Sequence, residues 1–268
     1  MSLKFSKGFF LFFTLVFFFG FISDAYSFSF SLREGHSVTL SCQAYWMRRT
    51  REGGSEQSGV LKGFWTEYER FARERLYWSV HFYNAKGILD GHTGSDARLK
   101  SNKKESEVEG RIGYCFTLKR YPNFCIAPFI GFGAFTGNNQ FIEPSPLEFT
   151  METHFLFTGL GFKSQYSFTP YISLGLQIEV KIPYDVHCKI KNFDELENVT
   201  QFIKEKAGVE VELPFQVKLP KRSCFQIGAA VVPFYRYRKY GAQSNYPFDY
   251  PKTSFQIAGA RMELKAFF

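Results

Sequence analysis

The sequence of 268 residues predicts an all-β fold, an antiparallel up-and-down β-barrel of about ten strands. Polarity alternates with a period of two along many segments, and short turns alternate with longer polar stretches. Residues 260–268 form one such alternating segment, which ends on the aromatic Phe268. Aromatic residues make up 19% of the chain, which suits a barrel whose outer surface meets lipid at two interfaces. A barrel of about eight strands and a soluble β-sandwich are the alternatives.

The start of the sequence has the organisation of a secretory signal peptide. Lys4 and Lys7 are followed by an apolar run over 9–22, and then by the small residues Ala25 and Ser27. The run is shorter than the roughly 20 apolar residues that a spanning helix needs, so a membrane anchor is the less favoured alternative. We therefore predict a signal peptide over 1–27 and a single barrel domain over 28–268.

The order of the strands follows from the turns and the polar stretches between them. Short turns lie near 72–75, 119–123, 167–170 and 219–223. Polar stretches lie near 49–58, 88–105, 137–149, 185–205 and 241–253. Membrane barrels have short turns on the periplasmic side and longer loops outside, so these connections predict ten strands. The predicted strands are 36–48, 59–70, 76–88, 106–118, 124–136, 151–166, 171–184, 206–218, 223–238 and 254–268.

The alternation also predicts a barrel interior with charges of both signs. Residues 172–181 are a clear case, because the apolar residues face one way while Glu179 and Lys181 face the other. Confined charges need partners, so the interior is either a self-neutralising network or the lining of a narrow, selective pore. We favour a filled interior, because wide channels have about sixteen strands. The predicted interior charges are Glu107, Glu109, Arg111, Lys163, Glu179, Lys181, Glu210, Glu212, Lys218, Arg236, Arg238, Arg261, Glu263 and Lys265.

The leader, the order of strands and loops, and the closing strand together resemble the bacterial outer-membrane β-barrel superfamily. This resemblance implies residence in the bacterial outer membrane and insertion by the barrel-assembly machinery, which recognises the last strand. By resemblance, the assembly signal consists of Met262, Leu264, Ala266 and Phe268. The Phe-rich, lysine-bearing sequence also resembles uncharacterised barrels of the chlamydial lineage.

The formal net charge of +8 bears on the expected partners. An exported basic protein meets anionic surfaces rather than nucleic acid, so we expect outer-membrane lipid and lipopolysaccharide as partners. A host or surface ligand at the outer loops is also expected. The spacing of Cys and His predicts no metal site, and no cofactor is expected. Cys115 and Cys125 lie diagonally on neighbouring strands, so a disulfide between them requires a two-residue slip in register.

A catalytic function is the minor alternative. Asp185 and His187 continue the alternate positions of Glu179 and Lys181, which are predicted to face inward. A carboxylate beside a histidine supports general-base chemistry. The pair resembles that of the omptin proteases, with Asp90 or Asp96 as acidic partners across the barrel mouth. The Asp-x-Asp pair of omptins is absent, however, and the predicted strands are short for the tall omptin barrel. We expect a non-enzymatic barrel for envelope structure or loop presentation, with a narrow porin-like channel and an omptin-like endopeptidase as alternatives.

Overall fold

The computed structural model describes residues 35–118, 120–146, 148–192, 199–220, 226–245 and 249–268. The predicted signal peptide and Cys224 lie outside these residues. Within them the chain forms twelve β-strands, and no helix in this part of the chain is long and apolar enough to cross a membrane. The strands are β1 (His36–Arg51), β2 (Glu56–Arg70), β3 (Arg75–His92), β4 (Arg98–Leu118), β5 (Tyr121–Ile142), β6 (Thr150–Ser167), β7 (Ile172–Lys191), β8 (Val199–Phe202), β9 (Gly208–Glu212), β10 (Phe215–Lys218), β11 (Gln226–Tyr240) and β12 (Thr253–Phe267).

The strands close into one antiparallel barrel. Each strand from β1 to β7 pairs with the next, and β12 closes the ring by pairing with both β11 and β1. β9 and β10 both lie between β7 and β11, so they form one wall strand that is interrupted at Leu213 and Pro214. Pro214 has no N–H to donate, which accounts for the break. The described residues thus give ten wall positions, with β8 added beside the end of β7, and the predicted ten-stranded barrel is confirmed.

The strands extend beyond their predicted bounds at one end of the barrel. β4 has 21 residues and β5 has 22, and both continue into the stretches 88–105 and 137–149 that the sequence suggested were loops. β8 lies within the predicted loop 185–205. A strand that extends past the lipid can be polar on both faces, so polarity no longer alternates along it. The expectation of short strands was wrong for this reason.

An apolar belt surrounds the outer face of the barrel. On β1 and β12 it includes Val38, Leu40, Met262 and Leu264, and Met262 is 72% exposed. Soluble proteins rarely expose a continuous apolar surface of this extent, whereas lipid covers it in a membrane barrel. Other members of the belt are Phe64, Leu76, Phe82, Ile112, Phe116, Phe132, Leu160, Ile172, Leu174, Val180, Ile182 and Val231.

The two ends of the barrel differ. At the end that we call the periplasmic end, the turns are short and the last strand returns beside the first, where the Phe268 N–H donates to the His36 carbonyl at 3.0 Å. At the opposite, outer end, the strands continue past the apolar belt and their outward face becomes polar. Arg48 and Glu56 form two hydrogen bonds of 2.7 and 2.8 Å on this outward face.

Candidate functional site in the barrel interior

The fourteen charges predicted to face inward all lie on the inner face of the barrel. At the centre, Arg111 is 4% exposed and donates to two carboxylates. Its Nε lies 3.0 Å from Glu109 Oε1, and its Nη2 lies 2.7 Å from Glu179 Oε2. Gly131 and Gly159 lie beside these carboxylates, and a Cβ at either position would collide with one of them. Glycine therefore provides the room in which two carboxylates share one guanidinium.

A second group of ion pairs surrounds Lys181. Its Nζ lies 2.5 Å from Glu107, 3.0 Å from Glu109 and 3.2 Å from Glu210. His81 Nε2 lies 3.6 Å from both Glu107 and Glu109. The three ligand atoms of His81, Glu107 and Glu109 lie within 4.8 Å of one another, which is compact enough to hold a metal ion. The Lys181 ammonium contacts both carboxylates and Arg111 also pairs with Glu109, so this arrangement favours an ion-pair cluster over a metal centre.

A third group lies nearer the periplasmic end. Arg261 donates to both oxygens of Glu212, at 2.8 and 2.9 Å, and to Glu263 at 2.7 Å. Lys265 lies 3.0 Å from the other oxygen of Glu263. All four side chains are buried, so their charges are balanced by one another rather than by water.

Sequence reasoning missed several interior charges. Glu67 and Glu69 are buried on the inner face of β2, where Glu69 pairs with Lys163. Their parity within the predicted strand 59–70 could have identified them. Lys103 and Glu105 form a buried pair at 3.5 Å. They lie in the predicted loop 88–105, where no alternation of polar and apolar residues indicated which side chains face inward.

An apolar plug fills the interior between the charged groups and the outer end. Its residues are buried and pack on one another across the barrel, as in the edge-to-face contact of Tyr45 with Phe234 at 6.0 Å. The Tyr45 hydroxyl donates to Glu105 at 3.2 Å and so joins the plug to the charges below. The larger members of the plug are Tyr45, Met47, Leu61, Leu89, Phe135, Phe141, Phe155, Phe157, Phe234, Tyr240, Phe255 and Ile257.

A small cavity lies between β7, β9 and β11. Its volume is about 30 Å³, and Lys181, Glu210, Arg236 and Tyr240 are among its lining residues. A cavity of this size holds one or two water molecules. It can hydrate the charged groups beside it, but it is too small to hold a sugar or an amino acid.

Two arginines lie above the plug, on the inner face of β1. Arg49 is 5% exposed, no carboxylate of the described residues contacts it, and its guanidinium lies 5.4 Å from the Phe141 ring centroid. Arg51 lies 5.8 Å from the Tyr250 ring centroid. Burial raises the pKa of Tyr250, which lies between β11 and β12 and remains neutral beside these cations. At this end of the barrel, the two guanidinium groups therefore contact aromatic rings rather than carboxylates.

Comparison with known proteins defines the fold and not the function. No known family and no curated protein matches the sequence. Among solved structures, the outer membrane protease OmpT of Escherichia coli matches with a TM-score of 0.55 at 9% identity, over 91% of this chain and 99% of that one. The translocator domain of autotransporter NalP from Neisseria meningitidis has a TM-score of 0.47 at 8% identity, over 93% of each chain. The attachment invasion locus protein Ail of Yersinia pestis has a TM-score of 0.33 at 11% identity, over 85% and 99%.

The fold is that of a bacterial outer-membrane β-barrel. The closed ring of strands satisfies the backbone hydrogen bonds within the wall, which a bilayer requires. The apolar belt supplies the surface that lipid covers. The protein is therefore a membrane-spanning barrel with the fold of outer-membrane barrels.

The catalytic candidates on β7 do not face the interior, and this part of the prediction was wrong. Asp185 has a φ of 52° and forms a β-bulge, where the register shifts from Leu156 opposite Tyr184 to His154 opposite His187. The extra residue reverses the alternation, because a bulge places two residues opposite one. His187 therefore points outward, and the Asp185 side chain is 69% exposed.

The proposed acidic partners do not converge on His187 either. Asp90 is exposed on the outward face of β3, next to the fully buried Leu89. Asp96 lies in the turn between β3 and β4, with a φ of 67°. Three strands separate β3 from β7 in the wall, so their outward faces point in different directions. The described residues therefore do not assemble an omptin-like catalytic group from these four side chains.

The residues of the expected assembly signal share one face of the last strand. Met262, Leu264 and Phe268 are exposed, and Ala266 is half-buried. They occupy alternate positions on the outward side of β12 and beyond its end, so they are accessible from the lipid side.

Proposed function

We propose that this protein is a closed, non-conducting barrel that presents the outer ends of its strands and their loops at the cell surface. Its role in the envelope is structural or adhesive rather than catalytic or transporting. The observation that supports this proposal most strongly is the filled interior, in which the apolar plug lies above layers of buried ion pairs. Solute passage would require both layers to open.

The charged layers support a fixed interior rather than a selectivity filter. Arg111, Lys181 and Arg261 each contact at least two carboxylates, and all three are largely or fully buried. A buried ion pair that loses one partner leaves an uncompensated charge, which is strongly unfavourable. Each pair therefore resists the displacement that a passing ion would need.

Lipopolysaccharide is the proposed partner of the outer face. Lys62 lies directly opposite Lys86, and Lys86 lies directly opposite Lys104, which gives a row of three exposed lysines on β2, β3 and β4. Like charges at directly opposite positions destabilise a sheet unless an anion lies between them. On β2 and β3 this lysine row lies between the exposed Phe64 and Phe82 on the periplasmic side and the exposed Val60 and Ile88 on the outer side, near the outer edge of the apolar surface. Phosphate groups of the outer leaflet would neutralise it there.

Solute flux tests the closed interior. Liposomes that contain the refolded protein should swell in small sugars no faster than liposomes without protein. A heat-modifiable gel shift on the same preparation shows that the barrel is folded. Swelling that falls as the sugar becomes larger would refute a closed interior and establish the narrow channel.

A lipid titration tests the lysine row. Lipopolysaccharide in micelles should raise the temperature at which the refolded barrel loses its heat-modifiable shift, and replacing the whole row by glutamine should abolish the rise. The control variant removes the same net charge elsewhere, at Lys204, Lys206 and Lys252. Dephosphorylated lipopolysaccharide should have no effect on the wild-type protein. An equal rise in both variants would show that the row is not the binding site.

Protease activity remains a separate test, because the fold is shared with an outer membrane protease. We expect no cleavage of basic peptides by the refolded protein or by His187→Ala. Cleavage by the wild-type protein that His187→Ala abolishes would replace the structural role with an enzymatic one.

A further inference from the structure

The β-bulge on β7 creates a pair of histidines on the outer face of the barrel. His154 on β6 and His187 on β7 are direct partners in the antiparallel ladder. They form the next outward pair beyond Leu156 and Tyr184, toward the outer end. Their ring centroids lie 5.7 Å apart and the ring planes are tilted by 31°. The His187 side chain is 20% exposed, so both packing and solvent act on the pair.

The pair exists only because of the bulge at Asp185. Without the extra residue, His187 would keep the parity of Lys181 and point into the barrel. With it, Val186 and Cys188 take the inward positions and join the apolar plug. Bulges commonly re-aim side chains, and a non-glycine residue at φ 52° is an uncommon backbone state. The backbone is thus irregular at the point where it brings the two imidazoles together.

Hydrogen bonds hold one nitrogen of each ring and leave the other available. His187 Nδ1 lies 3.1 Å from the Asp185 carbonyl oxygen, which can only accept, so Nδ1 carries the proton. His154 Nδ1 lies 3.3 Å from Thr136 Oγ1. No hydrogen bond joins either Nε2 to another described residue. Metal-binding histidines have this arrangement, in which Nδ1 is fixed by a neighbour and Nε2 is left as the ligand.

The separation of the rings matches the geometry of two imidazoles on one metal ion. A zinc–nitrogen distance of about 2.0–2.1 Å places the metal about 3.2 Å from each ring centroid. Two such rings at a near-tetrahedral angle have centroids about 5–6 Å apart. The observed centroid separation of 5.7 Å lies in this range.

The remaining coordination positions would be filled by water. Asp185 Oδ1 lies 3.9 Å from His187 Nδ1, on the side of the ring away from the proposed ligand nitrogen. Glu152 shares the outward face of β6 with His154, and its carboxylate lies 2.7 Å from Lys191 Nζ. Imidazole nitrogen with carboxylate or water oxygen is a ligand set suited to Zn²⁺, Cu²⁺ or Ni²⁺ rather than to Ca²⁺ or Mg²⁺.

We propose that His154 and His187 form a surface site for a divalent late transition metal, which both Nε2 atoms bind. The site lies on the outward face toward the outer end of β7, with Tyr184 before it along the strand and the exposed Phe202 of β8 directly opposite His187. A bound metal would tie β6 to β7 beside the loop that follows β7. Whether the interior is closed or conducting has no bearing on this site.

Metal titration of the refolded protein without an affinity tag tests the proposal. Zn²⁺ binding is measured by calorimetry, and Cu²⁺ serves as a spectroscopic probe, since two bound imidazoles give nitrogen hyperfine structure in its electron paramagnetic resonance spectrum. We expect one site per chain, and His154→Ala or His187→Ala should each weaken Zn²⁺ binding by about tenfold or more. Each variant is first checked for the heat-modifiable shift, so that loss of binding is not loss of folding.

A matched control is available because the chain has five histidines. His36 and His81 are buried, and His92 is exposed at the end of β3, away from the pair. His92→Ala should leave Zn²⁺ affinity and the Cu²⁺ spectrum unchanged. The proposal is overturned if the wild-type protein binds no more tightly than the His154→Ala/His187→Ala double variant. It is also overturned if folded His92→Ala loses as much affinity as the single variants of the pair.

Discussion

Removing the Arg111 guanidinium is the sharpest test of the interior ion pairs. Arg111→Met keeps an unbranched apolar stem in the space and deletes the charge. The wild-type side chain donates to Glu109 at 3.0 and 3.2 Å and to Glu179 at 2.7 Å. In the variant Glu109 keeps the Lys181 ammonium at 3.0 Å, but Glu179 loses the cation that it contacts.

The expected magnitude follows from the uncompensated carboxylate on Glu179. One oxygen of Glu179 has no hydrogen-bond partner even in the wild-type protein, and the residue is fully buried. Breaking a buried ion pair by removing one partner costs about 3–5 kcal/mol. We therefore expect Arg111→Met to lower the free energy of unfolding by about 3–5 kcal/mol, which corresponds to one lost pair rather than two.

Urea unfolding in micelles, followed by intrinsic fluorescence and the heat-modifiable shift, measures this change. Adding Glu179→Gln to Arg111→Met removes the stranded charge, so the double variant should recover part of the loss. Arg48→Gln breaks a comparable pair on the exposed outer face and should change stability little. A loss in Arg111→Met no larger than in Arg48→Gln would refute the account.

Three further predictions concern packing, charge and assembly. Gly159→Val should destabilise the barrel, because a Cβ there collides with the Glu179 carboxylate; urea unfolding measures this, and unchanged stability would show that the interior yields easily. Arg49→Met should not lower the unfolding free energy, because no carboxylate of the described residues pairs with Arg49; a large loss would reveal a partner. Deleting Phe268 should reduce the amount of folded barrel in outer-membrane fractions of an expressing strain, although the barrel refolds in micelles; normal levels would remove Phe268 from the assembly signal.

The period of two in the sequence was sufficient to predict much of the interior. Glu179 and Lys181 alternate with apolar neighbours within the lipid-facing part of β7, so their inward direction followed from parity alone. The alternation identifies the inward face in this part of β7 because the lipid-facing side is apolar along its whole length. The ten strand positions followed similarly from turn chemistry at the periplasmic end.

Two features could not be predicted because local sequence does not encode them strongly. The bulge at Asp185 exchanges the inward and outward positions of the residues that follow it on β7. No glycine in the sequence marks the bulge, so His187 was assigned to the inner face although it points outward. Lys103 and Glu105 lie in the outer part of β4, where water replaces lipid and the outward face also carries lysine. Both errors arise where the solvent outside the barrel changes or the strand gains a residue, not where the strand is regular.

Single-channel recording in a planar lipid bilayer tests the filled interior most directly. The refolded barrel is inserted from micelles, and insertion is confirmed by recovering folded protein from the membrane. The apolar plug and the buried ion pairs predict a current that does not differ from that of the protein-free bilayer at either polarity. Steady, reproducible conductance steps would contradict this result and show that ions pass through the barrel.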